Sequence, residues 1–208
     1  MSTSSSRPDE ASAFEREELA AVARLAARLW LFEVDAEMLS ILRNADIVAA
    51  FSESGFPVPE TLADKNNDAQ SAATENDSAL IDELAVDFCS LLVGPKGHVP
   101  PVESVWRSDR FEGQPAADSR TFFELLPRYQ PPSKISDHIG TQLDFVAAVL
   151  EADTDEPEVF EIVVRFARQR LEWTAPFLSA VERRENKFYC WLAKLTADLI
   201  DTLRNLSQ

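Results

Sequence analysis

The chain offers few side chains suited to metal binding or nucleophilic chemistry. It contains two histidines and two cysteines: Cys89, His98, His138 and Cys190. No two of them fall at the short spacing that zinc sites use, so the pattern predicts no metal site and no metal cofactor. His138 is the residue to examine first, because it follows an aspartate, Asp137, in the segment SDHIGTQLDF.

Asp137 and His138 have structural interpretations as well as a functional one. A helix is predicted from about Ser136 to Glu151, and adjacent helical side chains point about 100° apart, which argues against a His–Asp catalytic relay. A carboxylate in the first turn interacts well with the free backbone N–H groups there, and Ser136 can cap the same end. His138 should border the core, either as a half-buried histidine bonded to a carbonyl or as part of a recognition surface.

No other motif favours catalysis. Ser104 lies in VESVW, which lacks the G-x-S-x-G pattern of a nucleophile elbow. The segment GPKGH has two glycines and a lysine but not the eight-residue pattern of a phosphate-binding loop. The sequence therefore predicts no catalytic residues and a protein that is not an enzyme.

Glu103 and Trp106 follow two prolines at a spacing of three residues. On one helical turn they would share a face, and a carboxylate beside an aromatic ring suits the guanidinium group of a peptide arginine. Alternatively, Trp106 anchors the loop to the core while Glu103 is solvated. The residues themselves leave both interpretations open.

Composition narrows the class of protein. The chain has 208 residues, five glycines and a formal net charge of −16, which disfavours nucleic-acid binding, since that requires a basic face. The acidity fits either a cationic partner or a solubility requirement, including a saline cytoplasm. The two cysteines lie in apolar helical patterns and should be buried and reduced. No secretory signal or membrane-spanning run is evident, so a cytoplasmic location is expected.

Hydrophobic periodicity predicts an all-α fold, a single-domain helical bundle of about seven helices. Residues 1–10 should be a disordered leader, residues 11–208 the helical domain, and residues 60–77 a flexible loop or insertion. The expected helices are about 11–32, 35–51 with Asp35 as N-cap, 78–92, 118–126, 136–151, 156–181 with a kink or early end at Pro176, and 185–206. The irregular segment 94–117 could act as a hinge, so both a monomer and a helix-exchanged homodimer are compatible with the sequence.

Two segments together resemble a known family. The run LLVGPKGHVPPVESVW, followed some thirty residues later by SDHIGTQLDFVAAVL, resembles the TorD/DmsD/NarJ-type redox-enzyme maturation chaperones. The segments FARQRLEWTAPFLSAVE and FYCWLAKLTADLI look like the closing helix pair of that family. The resemblance covers residues 78–205 well, whereas the first helix pair matches in length and pattern only.

The resemblance implies a cytoplasmic chaperone without catalysis or cofactor. Its partner would be the twin-arginine signal peptide or the apoprotein of a molybdenum-cofactor oxidoreductase, held back until the cofactor is inserted. A client that is not exported, such as a nitrate reductase subunit, is the alternative within the family; a helical scaffold unrelated to redox enzymes is the alternative outside it. Six residues would line the peptide-binding region by position: Glu103, Ser104, Trp106, Asp137, His138 and Gln142.

The sequence departs from the family pattern at three of its motif positions. Val102 stands where an aromatic residue is often found, and Trp106 where tyrosine is common. Gln142 occupies the place of the usual glutamate, one turn after His138. Without that carboxylate, Glu103 and Asp137 are the expected charge partners for a cationic peptide.

Overall fold

A computed structural model of the chain describes residues 8–62, 70–108, 110–153 and 156–206. These residues contain no β-strand, and the predicted all-α class is confirmed. A 3-10 turn covers Glu60–Leu62, and a π-helical turn, Cys89–Val93, continues one of the α-helices. The α-helices within these ranges are α1 (Pro8–Leu31), α2 (Ala36–Leu42), α3 (Ala45–Glu53), α4 (Gln70–Phe88), α5 (Glu103–Ser108), α6 (Gln114–Phe123), α7 (Ile139–Leu150), α8 (Glu156–Arg170), α9 (Thr174–Glu182) and α10 (Lys187–Arg204).

Short polar side chains begin several of these helices. The Asp35 carboxylate accepts the backbone N–H of Met38, as predicted, and starts α2. Asn186 starts α10 in the same way by accepting the N–H of Tyr189. Such caps satisfy N–H groups that have no partner within the helix.

Two predicted helices are each divided in the structure, which raises the number of helices above the expected seven. The helix expected over residues 35–51 becomes α2 and α3, because Asn44 accepts the N–H groups of Asp46 and Ile47 and starts a new helix. The helix expected over 156–181 becomes α8 and α9, because Pro176 occupies the first turn of α9, where its missing N–H costs nothing. In an unbroken helix, the ring of Pro176 would clash with the backbone carbonyl of residue 172.

Helical structure also extends into three segments predicted to be irregular, of which residues 94–117 contain α5 and the first turn of α6. Helix α1 begins at Pro8, within the predicted leader, and proline is favourable at a first helical position; residues 1–7 lie outside the described residues. Helix α4 begins at Gln70, within the predicted loop 60–77. Its Asp77 forms an ion pair with Arg43 at 2.7 Å, which fixes this turn to the end of α2.

The core is built around α1, α7 and α10. Trp30 of α1 is fully buried and donates its indole N–H to Thr196 of α10 at 2.9 Å. The ring of Phe177 lies edge-on to Trp30, with centroids 5.1 Å apart. The expectation of two buried cysteines is wrong: Cys89 is exposed at the start of the π-helical turn and donates to Glu33, and Cys190 is only half-buried. No helix in the described ranges is long and apolar enough to cross a membrane.

Gly140 allows α1 and α7 to approach each other closely. A Cβ atom at this position would lie 2.5 Å from Cγ of Leu31 and 2.8 Å from the backbone oxygen of Ala27. A backbone oxygen in the middle of a helix cannot move aside cheaply. The close contact between the two helices therefore requires glycine at residue 140.

Gly140→Ala is expected to lower the free energy of unfolding by about 1–3 kcal/mol, because the added methyl group overpacks the α1–α7 contact. The gain in helix propensity, at most about 1 kcal/mol, offsets only part of this loss. Urea denaturation followed by circular dichroism measures the change. Gly113→Ala is the control for added volume, since the nearest atom to its Cβ would be at an ordinary 3.5 Å and only a small loss from the poorer N-cap of α6 is expected. An equal loss in both variants would contradict the overpacking argument.

A buried polar network and an apolar groove

Helices α5 and α7 begin side by side, which brings the residues of the two sequence motifs together. The N–H of Glu103 donates to the backbone oxygen of Asp137 at 2.9 Å, and the N–H of Ile139 donates to that of Pro101 at 2.9 Å. Val102 and His138 thus form an isolated antiparallel bridge. The proline-rich segment is held to the start of α7 by main-chain hydrogen bonds.

Asp137 begins a different helix from the one predicted. Its Oδ2 accepts the backbone N–H of Ser104 at 2.8 Å, so its carboxylate serves the first turn of α5 rather than that of α7. Helix α7 begins two residues later, at Ile139, and His138 is its N-cap. The predicted capping by Ser136 is wrong: its hydroxyl donates to the backbone oxygen of residue 116 at 3.0 Å.

His138 is held in its neutral form by its position. It is half-buried, and Nδ1 accepts the N–H of Gly140 at 3.0 Å, which requires that nitrogen to be unprotonated. Burial lowers the pKa of His138 to about 4. The ring therefore carries no positive charge at neutral pH, and its capping bond differs from the expected bond to a carbonyl.

Glu103 is fully buried and has partners within the chain. Its Oε1 lies 2.8 Å from Nε of Arg107 and 3.6 Å from Nη1 of Arg170, while Oε2 accepts a hydrogen bond from Gln142 at 2.8 Å. Burial raises the pKa of Glu103, and the nearby arginines and the Gln142 amide oppose this rise only in part. The expectation that Glu103 is solvated is wrong.

Gln142 connects three elements of the network. Its amide nitrogen donates to Glu103 and, at 3.3 Å, to the hydroxyl of Ser119. Its amide oxygen accepts the indole N–H of Trp173 at 3.1 Å. A glutamate here could accept from Trp173 but could not donate to Glu103 unless it were protonated. The departure from the family pattern at this position therefore suits the ionised form of Glu103.

Trp106 anchors the proline-rich segment to the core. Its indole N–H donates to the backbone oxygen of Pro100 at 2.7 Å, and its ring centroid lies 6.2 Å from that of Phe177. This matches the structural alternative for Trp106. The ring is half-buried rather than fully exposed to a ligand.

The structure thus assembles all six predicted site residues but leaves little of them at the surface. Four have 0% of their surface exposed: Glu103, Ser104, Asp137 and Gln142. Among the described residues, no group of three or more His, Cys, Asp or Glu side chains could hold a metal ion. In this conformation the network fixes the positions of α5 and α7, and its contact with a peptide stays a prediction.

Sequence reasoning missed an apolar groove on another face of the molecule. The groove between α1, α3 and α10, called here the α1–α3–α10 groove, has a volume of about 670 Å³. Among the described residues, its lining includes two carboxylates, Glu18 and Asp198, and no basic side chain. The signal in the sequence is the wide apolar face of α1, which includes Leu19, Val22 and Trp30. Only the tertiary structure shows which part of this face packs in the core and which part is left uncovered.

Gln142→Glu is expected to lower the free energy of unfolding at pH 7 by about 1–3 kcal/mol, because two carboxyl groups would share a buried site and lose a hydrogen bond. Gln169→Glu is the matched control, since Gln169 is exposed on α8. Urea denaturation at pH 7 and pH 5 measures the effect. The loss should shrink at pH 5, where a shared proton restores the donor; a similar small change in both variants would contradict the role given to Gln142.

His138→Asn is expected to weaken the dependence of stability on acid pH. The folded-state pKa of about 4 lies below the ordinary value of 6.5, so the unfolded chain binds more protons between these values and stability falls as the pH drops through them, by up to about 3 kcal/mol. Asparagine keeps an N-cap acceptor without titrating. Denaturation curves at pH 6.5, 5.5 and 4.5 should show a smaller decrease in the variant; parallel curves would refute the neutral-histidine argument.

Comparisons with known proteins agree with this architecture. A model of the nitrate reductase delta subunit family matches residues 57–180. Chaperone protein YcdY from Escherichia coli K12 is 32% identical over 124 residues, which span 58% of this chain and 63% of that protein. A structure assigned as a redox enzyme maturation protein from Archaeoglobus fulgidus superposes with a TM-score of 0.54 at 18% identity. The superposition covers 89% of this chain and 93% of the other, and it supports the fold. The chain belongs to the nitrate reductase delta subunit family, the TorD/DmsD/NarJ-type redox-enzyme maturation chaperones.

Proposed function

We propose that this protein is a cytoplasmic, non-catalytic chaperone for a redox enzyme. It binds the N-terminal twin-arginine signal peptide, or the apoprotein, of a molybdenum-cofactor oxidoreductase and assists maturation before export. Family membership supports the general role, and the name of the Escherichia coli relative agrees with it. The binding of this particular kind of client is the specific part of the proposal.

The observation that carries the client assignment is the uneven distribution of charge. Residues 1–93 contain 18 acidic and six basic residues, whereas residues 94–208 contain 18 acidic and 14 basic residues. A signal peptide begins with a basic region and continues with an apolar one. The strongly acidic first part of the chain would attract the basic region, increase the rate of encounter and disfavour acidic competitors.

A client that stays in the cytoplasm is the second candidate. The description of the matched family, nitrate reductase delta subunit, favours it. In that case the protein would bind the N-terminal segment or body of a nitrate-reductase-like catalytic subunit rather than a functional export signal. Both candidates require recognition of a basic and apolar segment of an enzyme that has not yet received its cofactor.

Isothermal titration calorimetry separates these candidates. Twin-arginine signal peptides and the N-terminal peptide of a nitrate reductase catalytic subunit from the same genome are titrated into the protein. Binding should weaken by about tenfold between about 50 mM and about 500 mM salt, because the contacts between charges are screened. The control is a version of each peptide with its arginines replaced by glutamines. Tight binding by the nitrate reductase peptide alone selects the second candidate, and no heat with any peptide or with the apoenzyme refutes both.

A further inference from the structure

We propose that the α1–α3–α10 groove is the docking site for an amphipathic helical segment of the client, with apolar residues in the groove and basic residues against Glu18 and Asp198. This inference rests on the proposed function and adds where and in which conformation the client binds. None of the six residues predicted from the sequence motifs lines the groove.

The walls of the groove present apolar side chains that the core leaves partly uncovered. Leu19, Val22 and Leu25 of α1 face it, together with Ile47 of α3, and all four are half-buried. Ile41, at the end of α2, also lines the groove and is 37% exposed. A continuous apolar depression of this kind on a soluble protein is typical of an interaction site.

The two carboxylates at the groove favour a positively charged occupant. Glu18 and Asp198 are exposed, and neither forms an ion pair with any other described residue. Arginine or lysine side chains of a bound segment would therefore find unpaired carboxylates at the groove without displacing an internal partner. A second copy of this chain fits poorly, because each copy carries a net charge of −16 and the groove offers no basic residue.

The dimensions of the groove favour a helical occupant. The lining residues on α10 run from Leu195 to Thr202, a distance of about 10 Å at 1.5 Å per residue, and Leu206 extends this wall just beyond the end of the helix. A helix of about two to three turns covers this length, and it would contain an apolar run like that of a signal peptide, about 7–15 residues. Most of the wall is formed by helices whose backbone groups are bonded internally, and the described residues provide no sheet edge to which an extended peptide could add as a strand.

The groove also lies in a different part of the chain from the family match. Its lining residues fall within residues 18–56 and 195–206, whereas the family model covers residues 57–180. The buried network lies wholly within the matched region. The chain therefore places a surface of its own outside the region that identifies the family.

Fluorescence anisotropy with a labelled synthetic peptide tests the apolar part of the inference. The probe carries two adjacent arginines followed by about twelve leucine and alanine residues. Val22→Ser combined with Ile41→Ser should weaken binding by at least about tenfold. Val86→Ser is the control, because Val86 is 67% exposed on α4 and lies outside the groove. The peptide should also gain helical circular dichroism when it binds the wild-type protein.

A second pair of variants tests the charges. Glu18→Gln combined with Asp198→Asn should weaken binding by about fivefold to tenfold at low salt and reduce its salt dependence. Asp82→Asn combined with Glu161→Gln removes the same net charge from exposed positions on α4 and α8 and should have little effect. Because Glu18 and Asp198 are exposed, their substitution leaves the core intact, and this pair decides the question if the apolar variant folds poorly.

The outcomes distinguish this inference from the proposed function. If the groove variants bind the peptide as tightly as the wild-type protein and the control variants do, the groove is not the docking site. The chaperone function would still stand in that case. No binding of the probe or of any client peptide to the wild-type protein refutes the function itself. Sedimentation that shows a dimer lost in the Val22→Ser, Ile41→Ser variant would assign the groove to a second copy and overturn the inference.

Discussion

One buried carboxylate determines how the two halves of the sequence motif meet. Asp137 accepts the N–H of Ser104 through its side chain and that of Glu103 through its backbone oxygen. The first turn of α5 is therefore held against the chain two residues before α7 begins. Glu103 and Ser104 have 0% of their surface exposed, so their N–H groups could not bond to water if Asp137 were lost. This contact positions Glu103 opposite Gln142 and brings Trp106 against the core. The remaining polar interactions of the network follow from it.

The network and the groove differ in burial and polarity: the network is buried and polar, and the groove is partly exposed and apolar. Buried polar groups that bond across several helices favour one arrangement of those helices, and small changes among them are costly. A partly exposed apolar groove tolerates substitution far better, because its residues contribute less to the core. Helix α1 lies between the two regions, since one face packs on α7 and another lines the groove. Under the proposed docking, differences in client preference among relatives are expected in the groove rather than in the network.

Local signals predicted the fold class well, and contacts between distant residues accounted for the differences. Asp35 begins α2 as expected, because its partner is three residues away. The partner of Asp137 lies 33 residues earlier in the chain, so its role in α5 could not be read from helix periodicity. The motif predicted which residues assemble but not that four of them are inaccessible. The groove depends on how three helices are arranged, and no short motif encodes that.

The contact at Gly140 has a consequence for the newly made chain. Helix α1 ends at Leu31, and the surface it must meet on α7 is synthesised more than a hundred residues later. At about 5–20 residues per second, α1 therefore waits about 5–20 s after leaving the ribosome before its partner can emerge. During that time its apolar residues, including Trp30, are exposed to other proteins. A member of a chaperone family thus passes through an unprotected stage of its own.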